Sequence, residues 1–539
     1  MTRKKNYSKQ QLIFLILLLL ISLITVIGFG TLKSGFHEDE YYSYYSTNYT
    51  LGWNMPDGEW VDHSRYFNEF VVLEGQEFQY DWVKTVQSWD VHPPMYYWFL
   101  HTVCSFFPGI FSKWLGLSVN ICAYLISIVF FYLIARRLIS SDKHPYAAIL
   151  ATAVYSLSAS TISSVMFTRM YAVLSACILI SFYLHVKAWQ ENKMTHPSFL
   201  LPMAAIMYVG YLTQYYFLIY HFFLTASICL FMLFQTKRLK TPFIYGFSVI
   251  IPLILACITY PSSLAHMFRG YRGTEATDNF FNLSNTDERL FTFLSLTDKY
   301  LFCGILFIVC ILILLIVIYR IYRIKKSGKK LLPLINNNAF LIVLFCTTIG
   351  YFVAISKTAL LLGDSSLRYI LPIFGLLLIF VILLICKLDN DNIGQRFCGK
   401  LIICLLGFLL LGNIYHIAKR NVLFLYPETA GKVEYASAHT TVPVVYIFDA
   451  TNSWCVWESS LELFQYPQVY FTSDAVDTAF SDKTIQESKE LLVYINTMGT
   501  VDTQIQRVLN SNPSFSDYEL VQENKFCNLY RFYGSSVSQ

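Results

Sequence analysis

Apolar residues occur in long runs over most of this chain, and polar residues separate the runs. Eleven runs each have about the 20 residues that an α-helix needs to cross ~30 Å of hydrocarbon. They cover 12–32, 113–135, 146–163, 171–188, 198–213, 217–234, 241–260, 299–319, 338–356, 367–386 and 400–417. They are too continuous for barrel strands, and backbone groups cannot stay unpaired in lipid. The pattern therefore predicts an all-α polytopic membrane bundle of about eleven transmembrane helices.

Basic residues cluster at alternate ends of these runs. The clusters that fall on one side are Arg3/Lys4/Lys5, Arg136/Arg137/Lys143, Lys187/Lys193, Lys237/Arg238/Lys240, the 320–330 stretch and Arg396/Lys400. Short loops rich in Lys and Arg stay in the cytoplasm, so this side is predicted to be cytoplasmic. The N-terminus then lies inside the cell, and the run at 12–32, which lacks a small-residue cleavage pattern, is an uncleaved first span.

A shorter apolar stretch at 94–107 interrupts the regular pattern. It contains His101 and stops at Pro108-Gly109. If it crossed the bilayer, every basic loop except the first would move outside, so we expect a helix at the membrane interface or dipping into it. Residues 33–93 then form one large extracytoplasmic loop, with eleven acidic and three basic residues.

The pattern changes after residue 417. Residues 418–539 are more polar, and apolar stretches such as VPVVYIFD and LLVYIN alternate with helix-like segments at 452–464, 483–490 and 501–510. This alternation predicts a small α/β domain, which the number of spans places outside the cell. We therefore expect a transmembrane domain at 1–417 and an extracytoplasmic domain at 418–539. Cys455 and Cys527 in the second domain could pair if oxidised.

Composition agrees with a membrane protein. The chain is 55% hydrophobic and 14% charged, with a net charge of +5. Because that charge follows the predicted loops, it gives no sign of a nucleic-acid partner. The 13 cysteines form no CxxC and no Cys/His cluster, and most lie in apolar runs, as packing residues do.

Carboxylates and tyrosines stand together in HEDEYYSYYSTNY, at 37–49. Carboxylates at 38–40 suit a helix N-terminus and tyrosines suit an interfacial belt, so a structural interpretation is open. Ionisable residues against a membrane are costly, however, and often mark a functional site. In a helix, Asp39, Tyr42 and Ser46 share one face, which would aim one carboxylate into a cleft lined by tyrosines.

A second polar stretch, WDVHPPMYYWFLH, follows at 89–101. Its tandem prolines, Pro93 and Pro94, fix an extended entry to the following helix. That entry would hold Asp90 and His92 at its mouth. The first large loop therefore offers two candidate sites for chemistry.

Four motifs in order resemble a known family. They are an acidic pair just after the first span, D-x-HPP-x-YY at 90–97, TRMYA at 168–172 and RY-x-x-P at 368–372. Over about residues 1–420 this series resembles the GT-C membrane glycosyltransferases, in particular the family 39-like branch of protein O-mannosyltransferases and lipid A aminoarabinose transferases. The chain departs from many relatives at Gln214, which stands where they have the histidine of Thr-His-Tyr-Tyr.

The resemblance implies a reaction. Such enzymes take a sugar from a polyprenyl-phosphate carrier at the outer membrane face and give it, with inversion, to an acceptor hydroxyl. By position, Asp39 is the general base, and Glu40 either hydrogen-bonds the acceptor or raises the pKa of Asp39 through like-charge repulsion. The departing phosphate requires charge stabilisation on the other side of the sugar.

The resemblance also implies residues that bind the substrate. Arg169 and Arg368 lie at predicted outer ends of spans, where each could grip phosphate oxygens or snorkel at the interface. The other implied substrate-binding residues are His92, Asp90, Tyr96 and Tyr171, while Arg269, Arg272 and Arg289 are alternatives to the two arginines.

Cofactors, partners and location follow from the same resemblance. The outer loops contain no DxD, so we expect no obligatory metal, and a divalent cation is not favoured. The expected partners are a polyprenyl-phosphate sugar donor, membrane lipid, and an acceptor that is a protein, a lipid or a wall polymer. The Lys-, Ile- and Asn-rich composition indicates a bacterial plasma membrane. The alternatives are a flippase for lipid-linked sugars and a wall-polymer binding protein without catalysis. Transport would require ionisable residues near span centres, and the sequence has few of them.

Overall fold

The computed structural model describes residues 2–48, 55–139, 146–236, 239–327, 339–386 and 392–534. Three of the residues used to predict topology, Lys143, Lys237 and Arg238, lie outside these ranges, as does 328–330. The direction in which each span crosses the membrane therefore stays a prediction.

The chain folds as two compact units, each of which is assembled from three separate segments of the sequence. The first, called here the membrane unit, contains Met1–Gly30, Gln87–Tyr96 and Gly116–Leu423. The second, the sheet unit, contains Thr31–Val86, Tyr97–Leu115 and Phe424–Gln539. Most of the first large loop thus folds with the C-terminal part of the chain.

The membrane unit is built from the predicted apolar helices. Within the described ranges, eight helices are long and apolar enough to cross a membrane: Lys9–Leu32, Lys113–Leu138, Tyr171–Gln190, Tyr216–Phe234, Lys240–Thr259, Phe340–Thr358, Gly363–Ile385 and Gly399–Ala418. Two bent pairs, Ala147–Ser156 with Ala159–Met166 and Thr286–Phe302 with Leu306–Tyr319, add up to two further spans, and Pro197–Thr213 is a shorter apolar helix. Each of the eleven predicted runs falls on one of these elements, so the predicted helical bundle is confirmed.

The shorter helices of this unit lie between and within those spans. They are Ser262–Phe268, Tyr271–Phe281, Thr286–Thr297, a π-helical turn at Asp298–Phe302, Leu367–Ile370 and a 3-10 turn at Leu371–Ile373, followed by Phe374–Cys386. The complete bounds of the longest elements are Thr2–Leu32, Tyr216–Thr236, Leu306–Ser327, Ala339–Thr358 and Asn392–Ala418.

Two predicted spans are not straight. The run at 146–163 bends by 46° between Ala147–Ser156 and Ala159–Met166, and the run at 299–319 bends more sharply. The run at 299–319 contains a 91° bend between Thr286–Phe302 and Leu306–Tyr319. At the bend, Cys303 has φ 54° and Gly304 has φ 87°. Two consecutive residues in the left-handed region cannot continue a right-handed helix, which is why the chain turns there. The expectation of one continuous helix over 299–319 was wrong.

The sheet unit contains a mixed β-sheet. In the described part of the chain its strands are β1 (Glu59–Asp62), β2 (Val444–Phe448), β3 (Gln468–Ser473), β4 (Glu490–Asn496), β5 (Asp517–Gln522) and β6 (Cys527–Tyr533), in the order β1-β3-β2-β4-β6-β5. β2 runs parallel to β3 and β4, and the other pairings are antiparallel. All five residues of β2 are buried, as expected for a parallel strand covered on both faces.

Helices surround this sheet, and they complete the predicted α/β fold. Those wholly or partly in the sheet unit are Glu38–Asn48, His63–Phe67, Asn68–Phe70, Tyr80–Ser88, Met95–Ser105, Thr429–Ala438, Ser453–Ser459, Ser460–Leu463, Lys483–Glu487 and Val501–Ser511. The sheet core is made of side chains such as Val445, Val493 and Phe532. Cys455 and Cys527 are free and buried.

The apolar stretch at 94–107 forms the helix Met95–Ser105, which has 11 residues. At 1.5 Å per residue it reaches only about 16 Å, roughly half of the ~30 Å hydrocarbon layer. A crossing by this segment is therefore excluded. Its placement at the membrane interface stays a prediction.

Candidate functional site

The acidic stretch after the first span begins a helix. The helix is Glu38–Asn48, with all three carboxylates in its first turn. His37 precedes it: its backbone N–H donates to Glu40 Oε2 (2.9 Å), and its Nδ1 accepts from the N–H of Asp39 (3.1 Å). This reciprocal pairing is that of a capping box, and it satisfies donors that a helix start leaves open.

Glu40 also takes part in a buried ion pair. Its Oε2 lies 3.0 Å from Lys33 Nζ, and both side chains are fully buried. Lys33 donates a second hydrogen bond, to the carbonyl oxygen of Phe424 (2.7 Å). Burial lowers the pKa of Lys33, and the charge of Glu40 opposes that shift. These contacts give Glu40 a structural role, and a catalytic role for it stays a prediction.

Asp39 is the most exposed of the three carboxylates. Its side chain is 33% exposed, against 22% for Glu38 and 0% for Glu40. Asp39 Oδ2 lies 3.6 Å from Nδ1 of His37. The predicted face of Asp39, Tyr42 and Ser46 leads inward, because Ser46 is buried and donates to the Tyr42 carbonyl oxygen (2.7 Å). On this face, solvent reaches the Asp39 carboxylate but not Ser46.

A second group of predicted residues meets in the membrane unit. Nδ1 of His92 lies 2.6 Å from Asp90 Oδ2, and Nε2 of His92 lies 3.3 Å from Nη2 of Arg169. Arginine can only donate, so Nε2 must accept and Nδ1–H must donate to Asp90, which fixes the neutral tautomer of His92. Burial raises the pKa of Asp90, but His92 and then Arg169 outweigh burial, and that pKa lies below its usual range.

Arg169 lies on a short break between two helices. It follows Ala159–Met166 and precedes Tyr171–Gln190, and the side chain of Asn120 donates to the carbonyl oxygens of Phe167 (2.6 Å) and Val165 (3.2 Å) at that break. Arg169 is 2% exposed. A snorkelling arginine keeps its guanidinium in water, so this burial argues against a snorkelling role.

Other residues hold the loop that carries His92. Tyr260 O–H donates to the His92 carbonyl oxygen (3.4 Å), and Nε2–H of His266 donates to that of Ser88 (3.2 Å). Nδ1 of His266 in turn accepts from Tyr215 O–H (3.2 Å). These roles of Tyr260 and His266 were not predicted, because they depend on contacts between segments that are distant in the chain.

Arg368 and Tyr171 belong to a neighbouring aromatic cluster. Arg368 donates to the Tyr369 hydroxyl (3.0 Å) and lies 5.2 Å from the ring centre of Phe167. Phe167 stacks on Tyr171 (5.9 Å), whose ring meets that of Tyr369 at 5.8 Å. The structure therefore brings Arg368 and Tyr369 to Phe167 and Tyr171, which lie about 200 residues earlier in the chain.

The remaining predicted residues have other surroundings. Tyr96 is fully buried. Arg289 is buried and donates to the carbonyl oxygens of Ser356 (2.9 Å) and Ala359, so it anchors the end of the helix Ala339–Thr358. Arg272 forms a partly exposed pair with Glu275 (2.9 Å).

Lys357 is a buried cation that sequence analysis missed. It donates to the Asn282 carbonyl oxygen (2.5 Å), Asn285 Oδ1 (3.0 Å) and Thr286 Oγ1 (2.8 Å). Nothing in the apolar pattern marks it, because its partners lie in a loop more than 70 residues earlier. Among the described residues, no group of three or more His, Cys, Asp or Glu side chains could hold a metal ion.

Comparison with known proteins supports the predicted resemblance. Residues 91–260 match the family model described as dolichyl-phosphate-mannose-protein mannosyltransferase. The fold matches a crystal structure of ArnT from Cupriavidus metallidurans bound to undecaprenyl phosphate, with a TM-score of 0.51 and 12% identity over 96% of this chain and 97% of that one. An apo structure of the same protein matches with a TM-score of 0.47, also at 12% identity and with the same coverage. No curated protein matches the chain in sequence.

The chain therefore has a GT-C fold of the ArnT type. The matched segment contains His92, Tyr96, Arg169 and Tyr171, so four predicted site residues lie inside the family model. Asp39, Glu40, Asp90 and Arg368 lie outside it, and the functional roles of all eight residues stay predictions.

Proposed function

We propose that this protein is a membrane glycosyltransferase that moves a sugar from a polyprenyl-phosphate carrier to an acceptor hydroxyl. The observation that carries the proposal is the partly buried contact between His92 and Arg169 (3.3 Å), both within the segment that matches the mannosyltransferase model. The ArnT structure of similar fold is described as bound to undecaprenyl phosphate, and we extend that class of carrier to this chain.

In this proposal, Arg169 and Arg368 bind the phosphate of the carrier. A guanidinium offers two parallel donors to phosphate oxygens, and its charge stabilises the negative charge that develops as the sugar departs. Asp90 holds the tautomer of His92, and His92 orients Arg169 by accepting one of its hydrogen bonds. Tyr171 and Tyr96 complete the substrate-binding set.

Asp39 is the proposed general base. It takes the proton of the acceptor hydroxyl as that oxygen attacks the sugar carbon from the side opposite the phosphate, which inverts the configuration of the carbon. The exposure of its carboxylate, 33%, suits contact with an acceptor that arrives from water. Glu40 is expected to hold the start of the same helix. We expect no obligatory metal, since phosphate charge is met by arginine.

The proposed location is a bacterial plasma membrane, with the reaction on its extracytoplasmic face. The acceptor class is a protein, a lipid or a wall polymer. The sheet unit is proposed to lie on the outer side, together with Asp39.

The test is sugar transfer by the purified full-length protein in detergent. Synthetic polyprenyl-phosphate hexoses and pentoses are offered with protein, lipid and wall-polymer fractions in separate reactions, and product masses are measured. We expect transfer in the wild type and a loss of at least about 100-fold in Asp39→Asn, the scale of a general base. Asp287→Asn, an exposed aspartate in the first turn of another helix, is the matched control and should keep full activity.

Two results would overturn the proposal. If the wild type binds a carrier but transfers no sugar to any fraction, a flippase or a binding protein explains the fold better. If Asp39→Asn and Asp287→Asn are equally active, Asp39 is not the base.

A further inference from the structure

The helix that carries Asp39 is held by residues from the C-terminal part of the sheet unit. Tyr42 and Tyr45, three residues apart and hence on one face of the helix Glu38–Asn48, both pack on Trp457, at 5.3 and 5.1 Å between ring centres. Trp457 lies on the 3-10 helix Ser453–Ser459. One indole ring thus fixes the rotation of the Asp39 helix about its axis.

The start of the same helix is held by a charge. Lys525 Nζ lies 3.0 Å from Oε1 of Glu38, the residue directly before Asp39. Lys525 belongs to the turn between β5 and β6. This contact fixes the end of the helix at which the Asp39 carboxylate emerges.

Glu458 joins these two contacts into one structure. Its carboxylate accepts from the backbone N–H groups of Lys525 (3.2 Å) and Phe526 (2.9 Å), and it directly follows Trp457 in the chain. We call Trp457, Glu458 and Lys525 the C-terminal clamp. Because Glu458 ties the turn to the 3-10 helix, the clamp holds the Asp39 helix at two points that cannot shift independently.

A third contact lies beneath the helix. Tyr41 is buried, and its hydroxyl oxygen accepts from the backbone N–H of Leu461, two residues past the 3-10 helix of the clamp. The tyrosines that follow the acidic triplet therefore attach the helix to residues 457–461 of the sheet unit. The Asp39 carboxylate itself stays 33% exposed while its neighbours are fixed.

We propose that the C-terminal clamp positions Asp39 for glycosyl transfer, so that Trp457 and Lys525 are positioning residues of the reaction. The inference rests on the proposed function and gives the C-terminal segment a part in it. A base must lie within hydrogen-bond reach of the proton it takes, and a displacement of about 1 Å can cost on the order of 100-fold in rate. Contacts that fix the rotation and the end of a helix control displacements of that size.

The experiment compares four variants of the full-length protein with the wild type: Trp457→Leu, Lys525→Ala, Lys525→Arg and Lys489→Ala. Trp457→Leu removes the ring that both tyrosines contact, and Lys525→Ala removes the charge at Glu38. Lys489→Ala, an exposed lysine elsewhere in the sheet unit, is the matched control. Transfer rates are measured at saturating donor, and hydrogen–deuterium exchange is measured on the peptide 38–48.

We expect kcat to fall about 10-fold in Trp457→Leu and about 3-fold in Lys525→Ala, with the KM for the donor unchanged within about 2-fold. Exchange in 38–48 should become faster in both variants and stay as in the wild type in Lys489→Ala. Lys525→Arg keeps the charge and should restore both readouts. A merely structural role also predicts faster exchange and its rescue by Lys525→Arg, but it does not predict a fall in kcat at unchanged KM.

The outcomes separate the two proposals. Unchanged exchange in 38–48 in Trp457→Leu and Lys525→Ala overturns the clamp, whatever the activity. Faster exchange with wild-type kcat shows that the clamp holds the helix without positioning the base, and so overturns its role in the reaction. A wild type that transfers no sugar defeats the proposed function, and the positioning role with it, while the exchange data still decide whether the clamp exists.

Discussion

Two motifs in this protein combine a histidine with carboxylates. In one the contacts stay within a helix start, and in the other they reach a residue that is distant in the chain. At 37–40, the backbone N–H of His37 donates to the Glu40 carboxylate and the His37 ring accepts from the N–H of Asp39, while Glu40 also pairs with Lys33 seven residues earlier. At 90–92, Asp90 and His92 bond to each other and then reach Arg169, 77 residues later. The first motif builds local structure, whereas the second orients a distant cation.

The difference shows which residues of an acidic cluster are available for chemistry. In the first motif the buried carboxylate of Glu40 is fully engaged by structure, and the adjacent Asp39 is left a third exposed. In the second motif Asp90 accepts a hydrogen bond from His92, and the cation at the end of the series is Arg169. The candidate base thus stands beside a carboxylate that holds the helix start, and the candidate phosphate ligand is held by a histidine.

The largest effect is expected from breaking the ion pair of the first motif. Lys33→Met leaves Glu40 charged and buried, which costs about 3–5 kcal/mol, so the Tm of the protein in detergent should fall by about 5–10 °C. Arg65→Met is the control, since its pair with Glu59 is about half exposed and is worth ~0–1 kcal/mol. Equal Tm values for the two variants would show that the Lys33–Glu40 pair is not structural.

The next largest effect concerns the cation of the second motif. Arg169→Lys keeps the charge but loses the planar fork, so kcat/KM for the donor should fall by about 10–100-fold, the equivalent of ~1.5–3 kcal/mol. Arg137→Lys, at a partly exposed pair with Glu191, should keep its activity within about 2-fold. If lysine replaces arginine at 169 without loss, bidentate binding of phosphate is excluded.

A smaller effect should follow from changing the carboxylate behind His92. Asp90→Asn no longer fixes the neutral tautomer of His92, and we expect kcat/KM to fall about 10-fold with unchanged Tm, because the shape is kept. Asp81→Asn, an exposed aspartate in the preceding helix, is its control.

Lowering the pH provides an independent test of the ionisation of Asp90. Because its pKa lies below the usual range, Asp90 stays ionised when the pH is lowered from 7 to 5, and its stabilising contacts are lost only as the pH falls below about 4. Lowering the pH to 5 should therefore not reproduce the Asp90→Asn defect. A wild type that matches Asp90→Asn at pH 5 and exceeds it at pH 7 would contradict the depressed pKa.

The smallest effect is expected from removal of metal. Since arginines meet the phosphate in our proposal, EDTA should change the transfer rate by less than about 2-fold. Full loss with EDTA, restored by Mg²⁺ or Mn²⁺, would show that carboxylates of one of the two motifs bind a cation instead.

Periodicity was enough to predict the spans and most strands of the sheet. Apolar runs and alternating stretches report burial in lipid or in a sheet, and burial is a property of single segments. The bend at Cys303 and Gly304 could not be found in this way, because the run around it is apolar on both sides. Strand β1 was missed for a similar reason: EWVD is short, and its pairing is supplied by β3.

The candidate site was predictable only in part. Asp39, His92 and Arg169 were recognised from motifs, and Asp39 from the geometry of a helix. The contact between His92 and Arg169 and the support from Asn120 join segments that are far apart in the chain, and no local pattern encodes such contacts. Motifs therefore named the residues, and tertiary structure supplied their partners.

Strand β1 has a consequence for the synthesis of the protein. Glu59 pairs with Phe471, so a strand made early waits for a partner made more than 400 residues later. At about 5–20 residues per second, that delay is roughly 20–80 s. During that time the first loop has neither its sheet partner nor the clamp that docks the Asp39 helix. We expect the chain to become competent for catalysis only when its last strands have been made and delivered to the same side, so a chain that ends before β3 is inactive even with every span in place.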